Sequence, residues 1–378
     1  MDAFSRIIAL PSVSCMNPLY DQSNRDVVEL LANWFGDLGF STELQLVSSN
    51  PDKLNLIACY GQGEGGLVLS GHTDTVPYNE NLWKQDPFKL TERDNKLYGL
   101  GSTDMKGFFP IVLAALEKID LKKLDRPLFI LATCDEESTM GGAKALVSSK
   151  RALGRHALIG EPTGLKPISM HKGILIESIK LIGQSGHSSD PSLGVNALEG
   201  MNTVINQLSC WRDELQRQEQ NPLFKVPVPT MNFASIQGGD NPNRICGDCE
   251  MTIDLRMLPG MDLQECRAGI RKTVMQAIDG RGLTVEFDEV FSGSAGMHTD
   301  ENAEIIKLAE KLAGEPTGTV AFGTEGPYLN EMGMDTVVLG PGDIDQAHQA
   351  NEYIPTDRIE PMIAILEKMI THFCIKKD

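Results

Sequence analysis

The chain lacks any apolar stretch long enough to cross a membrane. Its longest nearly unbroken apolar run, residues 108–116, falls far short of the roughly 18 residues that a membrane-spanning helix requires. The N-terminal segment carries an early Asp2 and only a short apolar run, residues 7–10, before Pro11, which is not the pattern of a signal peptide. We therefore expect a soluble protein.

Basic residues are too few to balance the acidic ones. The chain has 34 Lys and Arg against 52 Asp and Glu, and its formal net charge is −18. A negative field of this size repels nucleic acid and anionic membranes, so neither is expected as a partner. A small-molecule substrate is not excluded, because a single Arg in a pocket can bind a carboxylate whatever the distant surface does.

The 8 cysteines do not follow the regular spacing of a disulfide framework. This favours reduced thiols in a cytoplasmic protein. Only Cys246 and Cys249 form a CxxC pair, and the alternating residues around them predict a strand, in which positions three apart face opposite sides. We therefore predict buried thiols there and not a redox site or a zinc knuckle.

The length of 378 residues is sufficient for two domains, each with its own core. Residues 1–173 alternate between helical and strand-like patterns, which predicts an α/β domain. Residues 174–287 follow the order strand, helix, strand, strand, helix, strand and predict a smaller α+β domain. The α/β pattern resumes in residues 288–378, so we predict one main domain interrupted by an inserted one.

Hydrophobic periodicity also predicts where the polar motifs lie. Short apolar runs predict strands at residues 54–60, 67–70, 127–133, 157–160 and 336–339, and a longer pattern predicts a helix at 105–121. Gly61, Gly63 and Gly66 spell GxGxxG after the first of these strands. The next segment is another strand and not the helix that must meet a pyrophosphate, so we predict a hairpin turn there and not a dinucleotide site.

Two motifs of the first half carry candidate metal ligands. In GHTDTVP, residues 71–77, His72 is placed to bind a metal through one ring nitrogen. Asp74, on the same side of an extended chain, is placed to accept the proton of the other nitrogen with its carboxylate. Asp104 ends the glycine-rich loop GLGSTDMKG, residues 99–107, where it is either a ligand or a plain helix N-cap.

Three further motifs place acidic or imidazole side chains beyond predicted strands: Glu136 and Glu137 in CDEES, Glu161 in GEPT, and His348 in GPGDIDQAHQANEY. Neighbouring carboxylates in unequal environments suit a ligand beside an acid/base group. Two imidazoles and three carboxylates, without a thiolate, favour zinc, cobalt or manganese over calcium or an iron–sulfur cluster. Five ligands exceed one tetrahedral site, which predicts two cations that share a bridging carboxylate.

Taken together, these motifs resemble the M20 metallopeptidase and deacylase family. The resemblance extends almost from end to end, through PSVS, GHTDTVP, YGLGSTDMKGF, DEE, GEPT, GQSGHSSDP, NRIC, DLRMLPG, FGTEGP, LGPG and AHQANEY. It implies a zinc-exopeptidase-like catalytic domain in which helices flank a central mixed sheet. It also implies that the insert is a ferredoxin-like domain that serves as a lid or in dimerisation.

The resemblance implies two zinc ions per subunit, with cobalt as a substitute. His72 and Glu161 would hold one ion, Glu137 and His348 would hold the other, and Asp104 would bridge them. The resemblance further implies a cis peptide bond after this bridging aspartate.

It also implies roles in catalysis and substrate binding. Glu136 would be the general base, taking a proton from water and passing it to the leaving amine. From its place in GHTDTVP, and not from the resemblance, Asp74 is counted with the catalytic residues because it would orient the His72 ring. His187 would stabilise the intermediate in the partner subunit's site of a homodimer, although it is otherwise an ordinary loop histidine.

Four residues would hold the substrate: Asn243, Arg256, Thr324 and Glu325. Glu325 would face the amine end of the substrate. Arg256 could pair bidentately with a substrate carboxylate, but a strand arginine equally serves to stabilise its own domain.

The implied activity is the hydrolysis of a linear amide. Within the family, the motifs are most similar to the branch that converts N2-acetyl-L-ornithine to L-ornithine and acetate in arginine biosynthesis. Relatives that act on succinyl-diaminopimelate or on short peptides share every metal ligand, so the ligands indicate the reaction class and not the substrate. A non-catalytic, metal-stabilised binding protein is a further alternative, which the presence of both Glu136 and Asp104 disfavours.

Overall fold

The computed structural model describes residues 1–49 and 51–376. The helices are α1 Asp2–Ile8, α2 Arg25–Asp37, α3 Phe108–Glu117, α4 Gly141–Ser149, α5 Ala197–Gln218, α6 Leu263–Ile278, α7 Glu304–Ala313, α8 Gly326–Glu331 and α9 Ile359–Cys374. The strands are β1 Ser41–Ser49, β2 Asp52–Tyr60, β3 Leu67–His72, β4 Thr91–Arg93, β5 Lys96–Tyr98, β6 Leu128–Thr133, β7 His156–Ile159, β8 Ile168–His171, β9 Gly173–Ile182, β10 Thr230–Gly238, β11 Asp248–Met257, β12 Thr284–Ser294, β13 Met297–His298, β14 Gly318–Val320, β15 Asp335–Val338 and β16 Tyr353–Pro355. Within the described residues, no helix combines the length and the apolar character that spanning a bilayer requires.

The chain divides into two compact units. The first comprises residues up to 169, residues 298–318 and the chain from 324 onward, and the second comprises residues 170–297 and 319–323. The predicted insert, 174–287, lies within the second unit, which extends further at both ends. One reason is that β12 continues to Ser294, past the predicted boundary.

A mixed sheet forms the centre of the first unit. Its strand order is β1-β2-β6-β3-β7-β15-β8-β13, and β14 pairs with β8. The strands β6, β3, β7 and β15 are mutually parallel, whereas β1 and β2 are antiparallel to their neighbours. The inner strands are short and apolar because they are buried on both faces. The predicted mixed sheet flanked by helices is confirmed.

Apolar side chains on one face of this sheet merge with the helices into a single core. Leu54, Leu56 and Ala58 of β2 belong to it, together with alternate residues of β3 and β6, because successive side chains of a strand point to opposite faces. Helices α2, α3, α7 and α9 supply the other half of this core. Helix α9 has buried residues throughout its length, such as Met362 and Phe373.

The strand order corrects the predicted hairpin at the glycine-rich segment. Strands β2 and β3 are not paired, because β6 lies between them. The glycines instead lie in the connection between β2 and β3, which passes close to the segment before β6. A Cβ atom on Gly66 would lie only 1.9 Å from the backbone oxygen of Pro127. Gly66 also has a positive φ of 79°, a conformation that glycine adopts without strain.

The second unit is a four-stranded antiparallel sheet covered by α5 and α6. The strand order is β10-β11-β9-β12, and the chain order is strand, helix, strand, strand, helix, strand, so the predicted ferredoxin-like topology is confirmed. Burial alternates along β11, where Cys249, Met251 and Ile253 pack into the core. Cys246 is also buried but precedes the strand. All eight cysteines, each of them within the described part of the chain, are free thiols.

Candidate active site

The parallel strands of the first unit end at a common edge, and four of them deliver the candidate ligands there. β3 ends at His72, β6 is followed by Glu136 and Glu137, β7 is followed by Glu161, and β15 precedes the loop that carries His348. Because these strands pair in parallel register, their carboxyl ends lie side by side. In open α/β sheets this edge is where ligands bind.

His72 is buried, and both of its ring nitrogens have partners. Nδ1 lies 3.0 Å from the backbone oxygen of Asp74, which can only accept, so Nδ1 carries the proton. Nε2 is then left facing Asp104 Oδ1 at 3.1 Å and Glu161 Oε1 at 3.7 Å. This is the orientation of an imidazole that binds a metal through Nε2.

The predicted contact with the Asp74 carboxylate is therefore corrected. Asp74 Oδ1 lies 3.7 Å from His72 Nδ1, beyond hydrogen-bond distance, and it has no hydrogen-bond partner among the described residues. Oδ2 instead accepts a hydrogen bond from the backbone N–H of Glu137 at 3.0 Å. Asp74 thus orients the imidazole through its main chain and supports the neighbouring strand end through its side chain.

His348 contacts the other side of the same group of carboxylates. Its Nε2 lies 3.1 Å from Glu137 Oε1 and 3.5 Å from Asp104 Oδ2. Hydrogen bonds to Asp104 and Glu137 raise the pKa of His348 to about 11. The two oxygens of Asp104 therefore face two different imidazoles, which is the placement expected of a bridging carboxylate.

Asp104 is not a helix N-cap. The predicted helix at residues 105–121 is wrong at its start, because α3 begins at Phe108 with Gly107 at the N-cap position. The peptide bond between Asp104 and Met105 is cis, as the family resemblance implies. The side chain of Asp104 is free of any capping role and points to the two imidazoles.

The carboxylates of the site differ in their ionisation. Burial opposes the charge of Asp104, but hydrogen bonds from His348 and His72 outweigh it and lower the pKa of this carboxyl. Burial raises the pKa of Glu161 and Glu136 well above the ordinary value. Burial, with the Asp104 charge added, also raises the pKa of Glu137.

The donor set fits divalent cations. Ligand atoms of His72, Asp104 and Glu137, and of His72, Glu136 and Glu161, lie within 4.8 Å of one another. Four carboxylates with two imidazoles carry more negative charge than the imidazoles could neutralise even if both were protonated. Bound cations would offset this repulsion, and the ligand types are nitrogen and oxygen, as zinc, cobalt or manganese prefer.

Sequence comparison agrees with this geometry. Peptidase family M20/M25/M40 matches residues 68–372. The chain belongs to this family. It is 45% identical to the acetylornithine deacetylase of Pasteurella multocida over 99% of this chain and 98% of that protein. It is 47% identical to the acetylornithine deacetylase of Pectobacterium carotovorum over 99% and 97% of the two chains.

Two solved structures share the fold. A tripeptidase from Staphylococcus aureus superposes with a TM-score of 0.77 at 19% identity, covering 98% of this chain and 96% of that one. An M20 family metallo-carboxypeptidase from Sulfolobus solfataricus has a TM-score of 0.77 at 17% identity, covering 97% of each chain. At this identity, the likeness concerns the fold alone.

Two predicted substrate residues of this M20 chain lie in its first unit. Thr324 is buried, and its Oγ1 accepts a hydrogen bond from the backbone N–H of Gly326 at 3.0 Å. Glu325 is also buried, and its Oε2 accepts a hydrogen bond from Thr133 Oγ1 at 2.8 Å. Burial raises the pKa of Glu325 to about 7, and Glu325 Oε1 has no hydrogen-bond partner among the described residues.

The other three predicted residues, His187, Asn243 and Arg256, belong to the second unit. His187 is exposed, and its Nδ1 lies 2.7 Å from Ser189 Oγ. The backbone oxygen of Asn243 accepts a hydrogen bond from the N–H of Ser188 at 3.1 Å, next to His187. Arg256 Nε donates to Asp254 Oδ1 at 2.9 Å. This arginine therefore makes a contact within its own domain, which is one of the two roles predicted for it.

Sequence reasoning missed the residues that support the ligands. Lys53 is buried and pairs with Asp135, which immediately precedes Glu136. Glu352 is also buried and accepts hydrogen bonds from the loop that carries Asp104. The only signal for Glu352 was its position in the AHQANEY motif, and Lys53 resembles a surface lysine.

Proposed function

We propose that this chain hydrolyses N2-acetyl-L-ornithine to L-ornithine and acetate, a reaction that would serve arginine biosynthesis. The observation that carries the proposal is the similarity to acetylornithine deacetylases, at 45–47% identity over 99% of the chain. The similarity spans both units, so it includes the second-unit segments that the sequence associates with substrate.

The site would hold two divalent cations, and we infer zinc as the metal, with cobalt as a substitute. His72 and Glu161 would hold one cation, and Glu137 and His348 the other. Asp104 would bridge them, because its two oxygens face the two imidazoles. When bound, divalent cations polarise an acyl carbonyl and lower the pKa of water.

Glu136 would be the general base. It lies beside His72 and Glu161 in the ligand cluster and next to Glu137 in the chain, so it is within reach of the reacting atoms without being one of the five ligands. Its carboxylate would take a proton from the attacking water and then deliver it to the leaving amine, which is a poor leaving group until protonated. Asp74 would keep the His72 ring in the required orientation.

The substrate would be held by Asn243 and Arg256 of the second unit and by Thr324 and Glu325 of the first. The buried, partly unpaired carboxylate of Glu325 suits an ammonium group of the substrate. His187, exposed on its loop, would act in the partner subunit of a homodimer. Residues 174–287 would then form the lid and dimerisation domain, and residues 1–173 and 288–378 the catalytic domain.

The test is ornithine release from N2-acetyl-L-ornithine by the purified, zinc-loaded protein. Glu136→Gln should lower kcat by roughly 10²–10⁴-fold, the usual contribution of a general acid/base, while both metals remain bound. Glu64→Gln, the same chemical change on an exposed side chain, is the control and should retain full activity.

The same assay distinguishes the alternatives. A zinc-loaded wild type that releases the diamino acid from succinyl-diaminopimelate, or cleaves short peptides, much faster than acetylornithine would refute the proposed substrate and leave the hydrolytic site intact. A metal-loaded protein that cleaves none of these amides would support the non-catalytic alternative.

A further inference from the structure

Glu352 is a buried carboxylate that binds the backbone of the loop before α3. Its Oε2 accepts a hydrogen bond from the N–H of Gly101 at 2.8 Å. Its Oε1 accepts hydrogen bonds from the N–H groups of Thr103 and Asp104 at 2.7 and 3.0 Å. Three converging backbone N–H groups form a nest of the kind that binds anions, and here the carboxyl group of a side chain distant in sequence occupies it.

The same two chain segments are joined by further contacts. The backbone oxygen of Glu352 accepts from the N–H of Gly99 at 3.1 Å, and Thr103 Oγ1 donates to the backbone oxygen of Tyr353 at 2.5 Å. Strands β16 and β5 then pair in antiparallel register, with Tyr353 opposite Tyr98. The two segments are therefore held together both at the loop and along β5, which precedes the loop, and β16, which follows Glu352.

Each of these segments supplies one candidate ligand. The loop ends at Asp104, and the segment before Glu352 carries His348, whose Nε2 lies 3.5 Å from Asp104 Oδ2. His348 itself is largely exposed, with 56% of its side-chain surface accessible, so packing does little to fix it. The position of His348 relative to Asp104 therefore depends on the contacts between the two segments. Glu352 makes four of these hydrogen bonds, three through its side chain and one through its backbone oxygen.

Only a carboxylate of this length satisfies all three donors. A glutamine at this position would place an –NH₂ group against either the Gly101 N–H or the Thr103 and Asp104 pair, because an amide has a single accepting oxygen. An aspartate would keep both oxygens but is one methylene shorter. The junction therefore depends on this particular side chain.

We propose that Glu352 is a positioning residue that holds the Asp104 loop against the His348 segment and thereby sets the affinity of the site for its cations. It does not touch the reacting atoms. The proposal rests on the proposed function only for the assignment of Asp104 and His348 as metal ligands.

Metal binding by chelator-stripped protein tests this directly. Wild type, Glu352→Gln and Glu352→Asp are titrated with Co²⁺, and both calorimetry and the visible absorption of the bound ion are recorded. Glu301→Gln is the matched control, because Glu301 is an exposed carboxylate of the same unit. The melting temperature of each stripped protein is measured first, so that loss of stability is separated from loss of affinity.

Glu352→Gln should weaken Co²⁺ binding by roughly 10–100-fold, the usual effect of removing a group that orients metal ligands, and should change the visible spectrum. Glu352→Asp should retain part of the affinity, and Glu301→Gln all of it. Wild-type affinity, stoichiometry and spectrum in Glu352→Gln would overturn the proposal, even if the stripped variant melts at a lower temperature. A wild type that binds no Co²⁺ would instead refute the metal site of the proposed function, and this inference with it.

Discussion

Lys53 shows how single buried residues hold the segment that carries the proposed base. Its Nζ lies 2.6 Å from Asp21 Oδ1 and 2.9 Å from Asp135 Oδ1, and Ser14 Oγ donates to Asp135 Oδ1 at 2.8 Å. Burial lowers the pKa of Lys53, but the hydrogen bonds to both aspartates outweigh it and raise that pKa. Asp135 has a positive φ of 57°, so this ion pair stabilises an unusual turn directly before Glu136.

We predict that Lys53→Met destabilises the protein. The substitution leaves two aspartates without their shared cation in a largely buried position, and loss of one partner of a buried ion pair costs about 3–5 kcal/mol. Urea unfolding followed by circular dichroism measures this loss. Lys122→Met, at an exposed lysine, should change the free energy of unfolding by less than about 0.5 kcal/mol. Equal stability of the two variants would contradict the structural role of Lys53.

At the scale of elements, charged contacts join the sheet of the second unit to α6. Glu177 of β9 is fully buried on the face that α6 covers, and Arg267 Nε of α6 donates to Glu177 Oε1 at 2.6 Å. Arg271 donates to the same carboxylate at 3.2 Å, and Arg267 also donates to the backbone oxygen of Ser292 on β12 at 2.6 Å. These hydrogen bonds link β9, α6 and the edge strand β12.

Glu177→Gln should destabilise the second unit by about 3–5 kcal/mol, because it removes the buried carboxylate nearest to Arg267 while the shape of the side chain is kept. The remaining carboxylate, Glu289, is exposed and lies 3.5 Å from Arg267 Nη2. Trp211 lies on α5 close to Gly269 of α6. When Trp34 and Trp83 of the first unit are replaced by phenylalanine in every variant, Trp211 fluorescence reports unfolding of the second unit. Glu286→Gln, on an exposed position of β12, is the control. An unchanged unfolding midpoint in Glu177→Gln would show that packing alone fixes α6.

At the scale of the whole molecule, negative charge is concentrated where the cations would bind. The formal net charge is −18, and a cluster of four carboxylates and two imidazoles lies at one sheet edge of the first unit. Burial raises the pKa of three of these carboxyls, because each is costly to ionise away from water. Cations bound there would stabilise the folded state through mass action.

Chelation should therefore lower the melting temperature, and Zn²⁺ or Co²⁺ should restore it. A cation at a hundredfold excess over its Kd, bound only by the folded state, adds about 2.7 kcal/mol of stability. Differential scanning calorimetry of stripped and reloaded protein measures the effect, with Mg²⁺, which prefers octahedral oxygen ligands, as the control ion. Equal restoration by Mg²⁺, or none by Zn²⁺, would contradict a zinc-type site.

Local patterns in the sequence were sufficient to predict the residue types of the site and the outline of both units. Polar residues directly after apolar runs identified the strand ends that carry His72, Glu136, Glu137 and Glu161, because strand ends are set by local periodicity and composition. The order of strands and helices in the insert indicated its topology for the same reason. These features depend on neighbours in the chain, which a sequence displays.

Which atoms meet depends on the tertiary structure. It placed β6 between β2 and β3, gave the His72 ring nitrogen a backbone oxygen of Asp74 in place of its carboxylate, and brought Glu352 to a loop some 250 residues earlier. The strand order and the Glu352 contact depend on pairing between distant segments, whereas the His72 contact is a choice between two oxygens of a residue only two positions away. Such pairing is set by the packing of the whole core, and a local pattern carries no record of it.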